Sequence, residues 1–331
     1  MSQILCVLMA MIGYGTAASC QASQAGTTTL TFQSSTYDDF RQVLARQPPT
    51  ATVTIPATLG FPDEQRDRYP AVIVVHTLSG YRDANEGYVA AELRKSGFAT
   101  LTYDSFAARG TTGQTLSASP AYLIAGTADA YAALRWLAND PRIDADRIAI
   151  IGFSFGGEIA HMTAFASLRS ALDPGLLRFA AHVAFYPAGS FGVIAGPGAY
   201  TGSPVLMLLG DKDDNLPVAK MENYLAYARS AGHPAPIETV IYPGASHAWT
   251  VPSLVTPHFY PEYVSTKKCP LILLGPNRPR FLIDGQTGPF DPSFVGACMA
   301  KAPGYAMAFD AAVRAQSIGE TVRFLKRHLQ P

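Results

Sequence analysis

The chain has 331 residues, long for an average domain yet within the range that a single α/β unit reaches. Apolar residues make up 48% and charged residues 15%, enough apolar material for a large core. Lys plus Arg and Asp plus Glu stand at 25 each, so no net field favours nucleic acid or an anionic membrane surface as a partner.

The first feature in chain order is "ILCVLMAMI", Ile4–Ile12, an apolar run too short to span a bilayer. Small residues follow in "GTAASCQASQAG", and no charged side chain precedes Asp38. An apolar stretch followed by a small-residue zone is the layout of an export signal, with cleavage expected near Ala22–Ala25. "AASC" at Ala17–Cys20 also resembles a lipoprotein box, in which Cys20 would carry a lipid; only then is a membrane partner expected. The expected organisation is a signal over residues 1–25, then one domain over 26–331, periplasmic or secreted.

A polar Thr/Ser-rich leader comes next, then a series of short apolar runs. Thr52–Leu59 alternates like an exposed strand, whereas Ala71–His76 is the continuous β-branched run of a buried parallel strand. Ala99–Tyr103, Ile148–Phe153, Ala181–Tyr186, Val205–Gly210 and Ile237–Tyr242 repeat the theme. Helical patterns fall between them at Glu86–Ser96, Ala121–Asn139, Phe155–Leu168 and Val218–Ala231, and a last helix is expected over Phe309–Leu329. Strands alternating with helices predict a mainly parallel sheet covered on both faces. Thr250–Tyr305 breaks the rhythm; it is long, rich in Pro and Gly, and reads as an insertion at the rim of the sheet.

Ser154 stands in "GFSFG", directly after an expected buried strand and at the start of an expected helix. G-x-S-x-G between a strand and a helix is a nucleophile elbow. The turn is so sharp that only glycine neighbours leave room, and the serine oxygen projects above the carboxyl edge of the sheet. Two plainer readings compete: a phosphate-binding glycine loop, which "GFSFGG" does not match, and a simple helix cap.

A serine needs a base, and the base needs an acid to orient it. On this architecture the chain order is Ser, acid, His, gathered at the carboxyl ends of the strands. The strand Val205–Gly210 ends in "GDKDDNLP", which offers Asp211, Asp213 and Asp214. The strand Ile237–Tyr242 ends in "PGASHAW", which offers His247. His233 and His328 lie at the wrong places, His161 and His182 read as packing, and His258 lies in the insertion. An oxyanion hole needs two backbone N–H groups, here Phe155 and, from "HTLSGY", Leu78; His76 would shape that loop through a structural hydrogen bond. With Cys6 and Cys20 in or beside the signal, Cys269 and Cys298 form an even pair, expected as a disulfide in an oxidising compartment. Neither belongs to a C-x-x-C, so no metal is expected.

From about Thr52 to the end, the chain resembles the dienelactone hydrolase family of α/β-hydrolases. The resemblance rests on "GFSFGG", "GDKDDNLP", "YPGASHAW", "YDSFAARG" and "FDAAVRAQSIGETVRFLKRHL". It implies an α/β-hydrolase fold. It also selects Asp213 as the acid, since the family's acid precedes its proline by four residues and the proline here is Pro217. His247 falls at the family's histidine, and Arg109 resembles a substrate-binding arginine. Three positions depart from the family pattern: Ser154 for cysteine, Thr77 for an acidic residue in the oxyanion loop, and Val251 for an arginine that grips a substrate carboxylate. The expectation is an exported serine hydrolase of a carboxylic ester or related acyl bond, acting on a small molecule through Ser154, His247 and Asp213, without cofactor or metal. An exported peptidase or acyltransferase with the same site, and a non-catalytic envelope binding protein, are the alternatives.

Overall fold

Side-chain alternation decides what each central strand packs against. The computed structural model describes residues 26–331 apart from 113–120, 174, 176, 264, 276, 277, 302, 330 and 331; the expected signal and Cys20 lie outside the described residues. Strand β3 (Tyr69–Val75) turns Ala71, Ile73 and Val75 to one apolar core and Val72 and Val74 to another. In β5 (Ile143–Phe153), Ile148 and Ile150 join the first core, and Ala149 and Ile151 the second. A strand buried on both faces has no polar side to show, which is why these runs are continuously apolar.

The other strands of the main sheet are β1 (Thr27–Thr36), β2 (Ala51–Gly60), β4 (Ala99–Tyr103), β6 (Ala181–Phe185), β8 (Val205–Gly210) and β9 (Ile237–Tyr242). Their order is β1-β2-β4-β3-β5-β6-β8-β9. From β4 to β9 every pairing is parallel, while β1–β2 and β2–β4 are antiparallel. Helix α3 (Ala121–Ala138) covers the first core, with Ala130, Tyr131 and Leu134 in it. Helices α2 (Tyr88–Lys95) and α8 (Ala311–Leu329) close the second through Leu93, Phe324 and Leu325. This is the α/β-hydrolase fold.

The structure differs from the sequence expectations in four places. The Thr/Ser-rich leader contains β1, paired with β2 along its length, and is followed by the short helix α1 (Phe40–Leu44). The helix expected from Glu86 begins as a π-helical turn, Asp83–Gly87, before α2. The helix expected over Phe155–Leu168 is two helices, α4 (Phe155–Met162) and α5 (Ala166–Leu172), whereas the one expected from Val218 is a single helix, α6 (Val218–Ser230). Phe165 is extended between α4 and α5 (φ −78°, ψ 119°) and bridges to Tyr200, which fixes the break. Finally, the inserted stretch carries regular structure: β10 (His258–Tyr260), β11 (Leu271–Leu274), β12 (Arg280–Ile283), β13 (Gln286–Pro289), α7 (Pro292–Ala300) and β14 (Tyr305–Met307). Strand β11 pairs in parallel with β7 (Phe191–Val193), a strand from the connection between β6 and β8.

Candidate active site

Ser154 follows β5 directly and adopts φ 53°, ψ −107°, a strained backbone for a residue with a side chain. The turn is tight because the chain runs back against itself. A Cβ on Gly152 would lie 2.1 Å from Gly156 O, and one on Gly156 would lie 2.4 Å from Val75 O. Any side chain at either glycine would push the elbow open. Ser154 N donates to Phe185 O at 2.9 Å and Gly156 N to His76 O at 3.1 Å, which ties the turn to both flanking strands.

Ser154 Oγ lies 2.8 Å from His247 Nε2, and His247 Nδ1 lies 2.8 Å from Asp213 Oδ2. The carboxylate accepts a hydrogen bond from Nδ1–H, which leaves Nε2 as an acceptor facing the serine. Asp213 is held in turn: its Oδ1 accepts from the N–H groups of Asn215 (2.9 Å) and Leu216 (3.2 Å). Ser154, Asp213 and His247 are 6%, 4% and 1% exposed, so the relay is nearly dry. The His247 ring is wedged edge-on between Tyr186 (5.0 Å between centroids) and Tyr305 (4.9 Å). Burial pushes both phenols up, so they stay neutral beside the imidazole.

The neighbouring aspartates do other work. Asp211 Oδ1 accepts from Gly244 N at 2.6 Å, joining the two loops that carry the acid and the histidine. Asp214 binds Lys267 Nζ at 2.8 Å and Ala306 N at 3.0 Å, holding one point within the inserted segment and the strand that closes it.

Phe155 and Leu78 flank Ser154 at one cavity. Among the described residues neither backbone N–H has a hydrogen-bond partner. The Leu78 loop is set by two groups. Ser105 N donates to His76 Nε2 at 3.0 Å, so His76 Nδ1 carries the proton and donates to Thr77 O at 2.6 Å. Glu86, fully buried, accepts from Thr77 N at 3.0 Å and Arg82 N at 2.9 Å, its carboxyl pushed up by burial. A second buried carboxylate, Glu158 in the first turn of α4, accepts from Gly189 N (2.7 Å), Ser190 N (3.2 Å) and Phe191 N (2.8 Å). Burial raises it to about 6 against the pull of those three donors.

The cavity holds about 100 Å³ and is walled by Leu123, Phe155 and Phe191 from the sheet side and by Ile272, Phe281, Val295 and Met299 from the inserted segment. Cys269 and Cys298 line it as a disulfide with Cα atoms 5.5 Å apart. No group of three His, Cys, Asp or Glu side chains among the described residues is placed to hold a metal ion.

Residues 55–265 match the family model described as the dienelactone hydrolase family. This chain belongs to the dienelactone hydrolase family. It is 27% identical over 207 residues to a Methylorubrum extorquens protein named "Putative carboxymethylenebutenolidase", covering 59% of this chain and 68% of that one. A dienelactone hydrolase-like promiscuous phosphotriesterase from metagenomic libraries shares the fold, with a TM-score of 0.56 at 19% identity over 91% of this chain and 98% of that one. A thermophilic esterase of Thermogutta terrifontis is a more distant likeness, with a TM-score of 0.45 at 17% identity over 59% and 80% of the two chains. The activity class that comes with the family is hydrolysis.

Within that family frame, one expected site residue needs correction. Arg109 does not line the cavity. Its guanidinium grips Asp129 through both carboxylate oxygens (2.8 and 2.9 Å) and donates to Thr36 Oγ1 and Ser105 O, so its donors are occupied inside the fold. Its partner lies 20 residues away on α3, a pairing that the sequence does not reveal. Val251 packs against the second core and does not reach the cavity either. The residues that sequence reasoning missed are Glu86, Glu158, Tyr186 and Tyr305. Only Glu158 carried a signal, as the lone acid in the apolar helix "FGGEIAHM".

Proposed function

We propose that this hydrolase is a serine esterase acting on carboxylic esters through a covalent acyl-enzyme. The observation that carries the reading is the relay Ser154–His247–Asp213, with Ser154 at φ 53° on the cavity floor. His247 Nε2 takes the Ser154 proton as Oγ bonds to the ester carbonyl carbon. The carbonyl oxygen gains the negative charge and lies against the Phe155 and Leu78 N–H groups, donors of a kind worth about 10²–10³ in rate each. Collapse of the adduct breaks the bond to the alcohol, which leaves with the proton from His247. Water then attacks the acyl-enzyme, giving a proton to His247, and Ser154 recovers it as the acid departs. Asp213 orients the imidazole and stabilises its cationic form.

An exported location, periplasmic or secreted, fits the apolar run Ile4–Ile12 and the Cys269–Cys298 disulfide, a bond that persists in oxidising compartments. The test of the chemistry is fluorophosphonate labelling with peptide mapping, joined to an ester panel. The expected result is stoichiometric modification of Ser154 and loss of esterase activity together. Turnover that survives complete labelling would defeat the proposal. Fractionation of cells that express the full chain tests the location, with protein confined to the cytoplasm as the contrary result.

A further inference from the structure

The wall opposite Ser154 decides which ester fits, and it is apolar. Leu123, Phe191, Ile272, Phe281, Val295 and Met299 form it, and the polar side chains that share the lining, Tyr122, Ser190, Asn215, Thr266 and Tyr305, are uncharged. No charged side chain among the described residues lines the cavity. None of the residues outside the description can add one, because residues 1–25, 113–120, 174, 176, 264, 276, 277, 302, 330 and 331 include no Asp, Glu, Lys, Arg or His. The nearby cations are engaged elsewhere: Arg109 with Asp129, Lys267 with Asp214, and Lys220 Nζ with Thr266 O from behind the wall. Two buried carboxylates stand directly behind the lining, Glu158 on the backbone of Ser190 and Phe191 and Asp213 on that of Asn215. An anionic substrate would meet no charged partner in that lining, and the one buried cation behind it, Lys220, already faces Glu158.

Resting on the reading of Ser154 as nucleophile, we propose that the substrate is a neutral carboxylic ester whose apolar group lies against the inserted segment, and that carboxylate-bearing esters and lactones are rejected. Much of the specificity then resides outside residues 55–265, the stretch that matches the family, because four of the six wall residues, Ile272, Phe281, Val295 and Met299, follow it. The disulfide holds this wall in place: Cys298 lies on α7 with Val295, and Cys269 lies two residues before β11, which carries Ile272.

The test compares p-nitrophenyl pentanoate with mono-p-nitrophenyl glutarate, which puts a carboxylate where the first has its terminal methyl. The glutarate ester is expected to show kcat/KM lower by on the order of 100-fold or more, the penalty for burying an unpaired charge. Val295→Lys, at a half-buried position, should narrow that ratio at least about tenfold by giving the carboxylate a partner. The same two esters are titrated into Ser154→Ala, where binding is read without turnover. Preferential binding of the pentanoate ester there supports the inference even if the wild-type protein hydrolyses neither ester, an outcome that defeats the nucleophile reading alone. Equal kcat/KM for the two esters, or equal Kd in Ser154→Ala, overturns it.

Discussion

Ser154 and His247 are joined by a single 2.8 Å contact, and on the proposed mechanism neither has a use without the other. Ser154→Ala is expected to lower kcat by on the order of 10⁴-fold or more, and His247→Ala by a similar amount. The double variant should be little worse than either single one, since a unit can be broken only once. Steady-state rates with an activated ester measure this, and losses that multiply would show that the two side chains act separately. Asp213→Asn should cost more than Asp211→Asn or Asp214→Asn. Asp213 alone reaches the imidazole, whereas Asp211 meets Gly244 N and Asp214 meets Lys267 and Ala306 N. The serine was legible because it ends a buried strand in a recognisable turn, and the histidine because it lies in the short loop after the last strand of the sheet. The choice among three adjacent aspartates rested on the family's spacing to Pro217. Arg109 misled because a charged loop residue gives no sign of whether its partner is a ligand or an aspartate one helix away.

At the scale of elements, one carboxylate links the nucleophile's helix to the substrate wall. Glu158 lies one helical turn beyond Ser154 and holds the backbone of Gly189, Ser190 and Phe191, two of which line the cavity. Glu158→Gln puts an amide N–H where an acceptor is needed, so the loop should loosen. The expected result is a several-fold rise in KM for an apolar ester with a smaller change in kcat, the pattern of a lost binding wall. Burial raises Glu158 from 4.5 to about 6, and Lys220, lowered to about 8 by its own burial, is the facing cation. A carboxyl raised on folding adds stability that is full below its unfolded value and is lost as pH climbs through the folded one. Wild-type stability relative to Glu158→Gln should therefore fall by about 2 kcal/mol between roughly pH 4 and pH 7. Urea unfolding of both proteins across that range measures the difference, and a flat difference would mean that Glu158 ionises as it does in the unfolded chain. The parallel strands were readable for the same physical reason that makes Glu158 unusual: a doubly covered sheet excludes polar groups. Strand β1 was not, because an edge strand can be mostly threonine and serine and still pair along ten residues. The break between α4 and α5 was not, because Tyr200 sets it from far along the chain.

At the scale of the whole molecule, the inserted segment is built from strands of three or four residues and one helix, each too short to leave a period in the sequence. Its order comes from two ties to the core and one bond within the segment. Strand β11 pairs with β7, Asp214 clamps Lys267 and Ala306, and Cys269 is bonded to Cys298. Only the last of these also constrains the unfolded chain. Closing a loop of about 30 residues restricts the unfolded ensemble by roughly 3–4 kcal/mol in the chain-entropy model. The Cys269→Ser/Cys298→Ser protein is therefore expected to unfold at lower denaturant with a larger m-value, because its unfolded state is more expanded. The other two ties remain in that variant, so the hydrolase sheet and the Ser154–His247 relay should stay formed, and fluorophosphonate labelling of Ser154 should persist. What changes is the wall. Val295 and Met299 ride on α7 beside Cys298, so loosening that helix should reduce kcat/KM for a pentanoate ester more than for an acetate ester, whose acyl group does not reach so far. Denaturant titration and the two-ester comparison, run on the same preparation with and without reductant, separate these effects. Equal losses on both esters would make the disulfide a staple for stability alone, and an unchanged midpoint would mean that the unfolded chain is already held together without it.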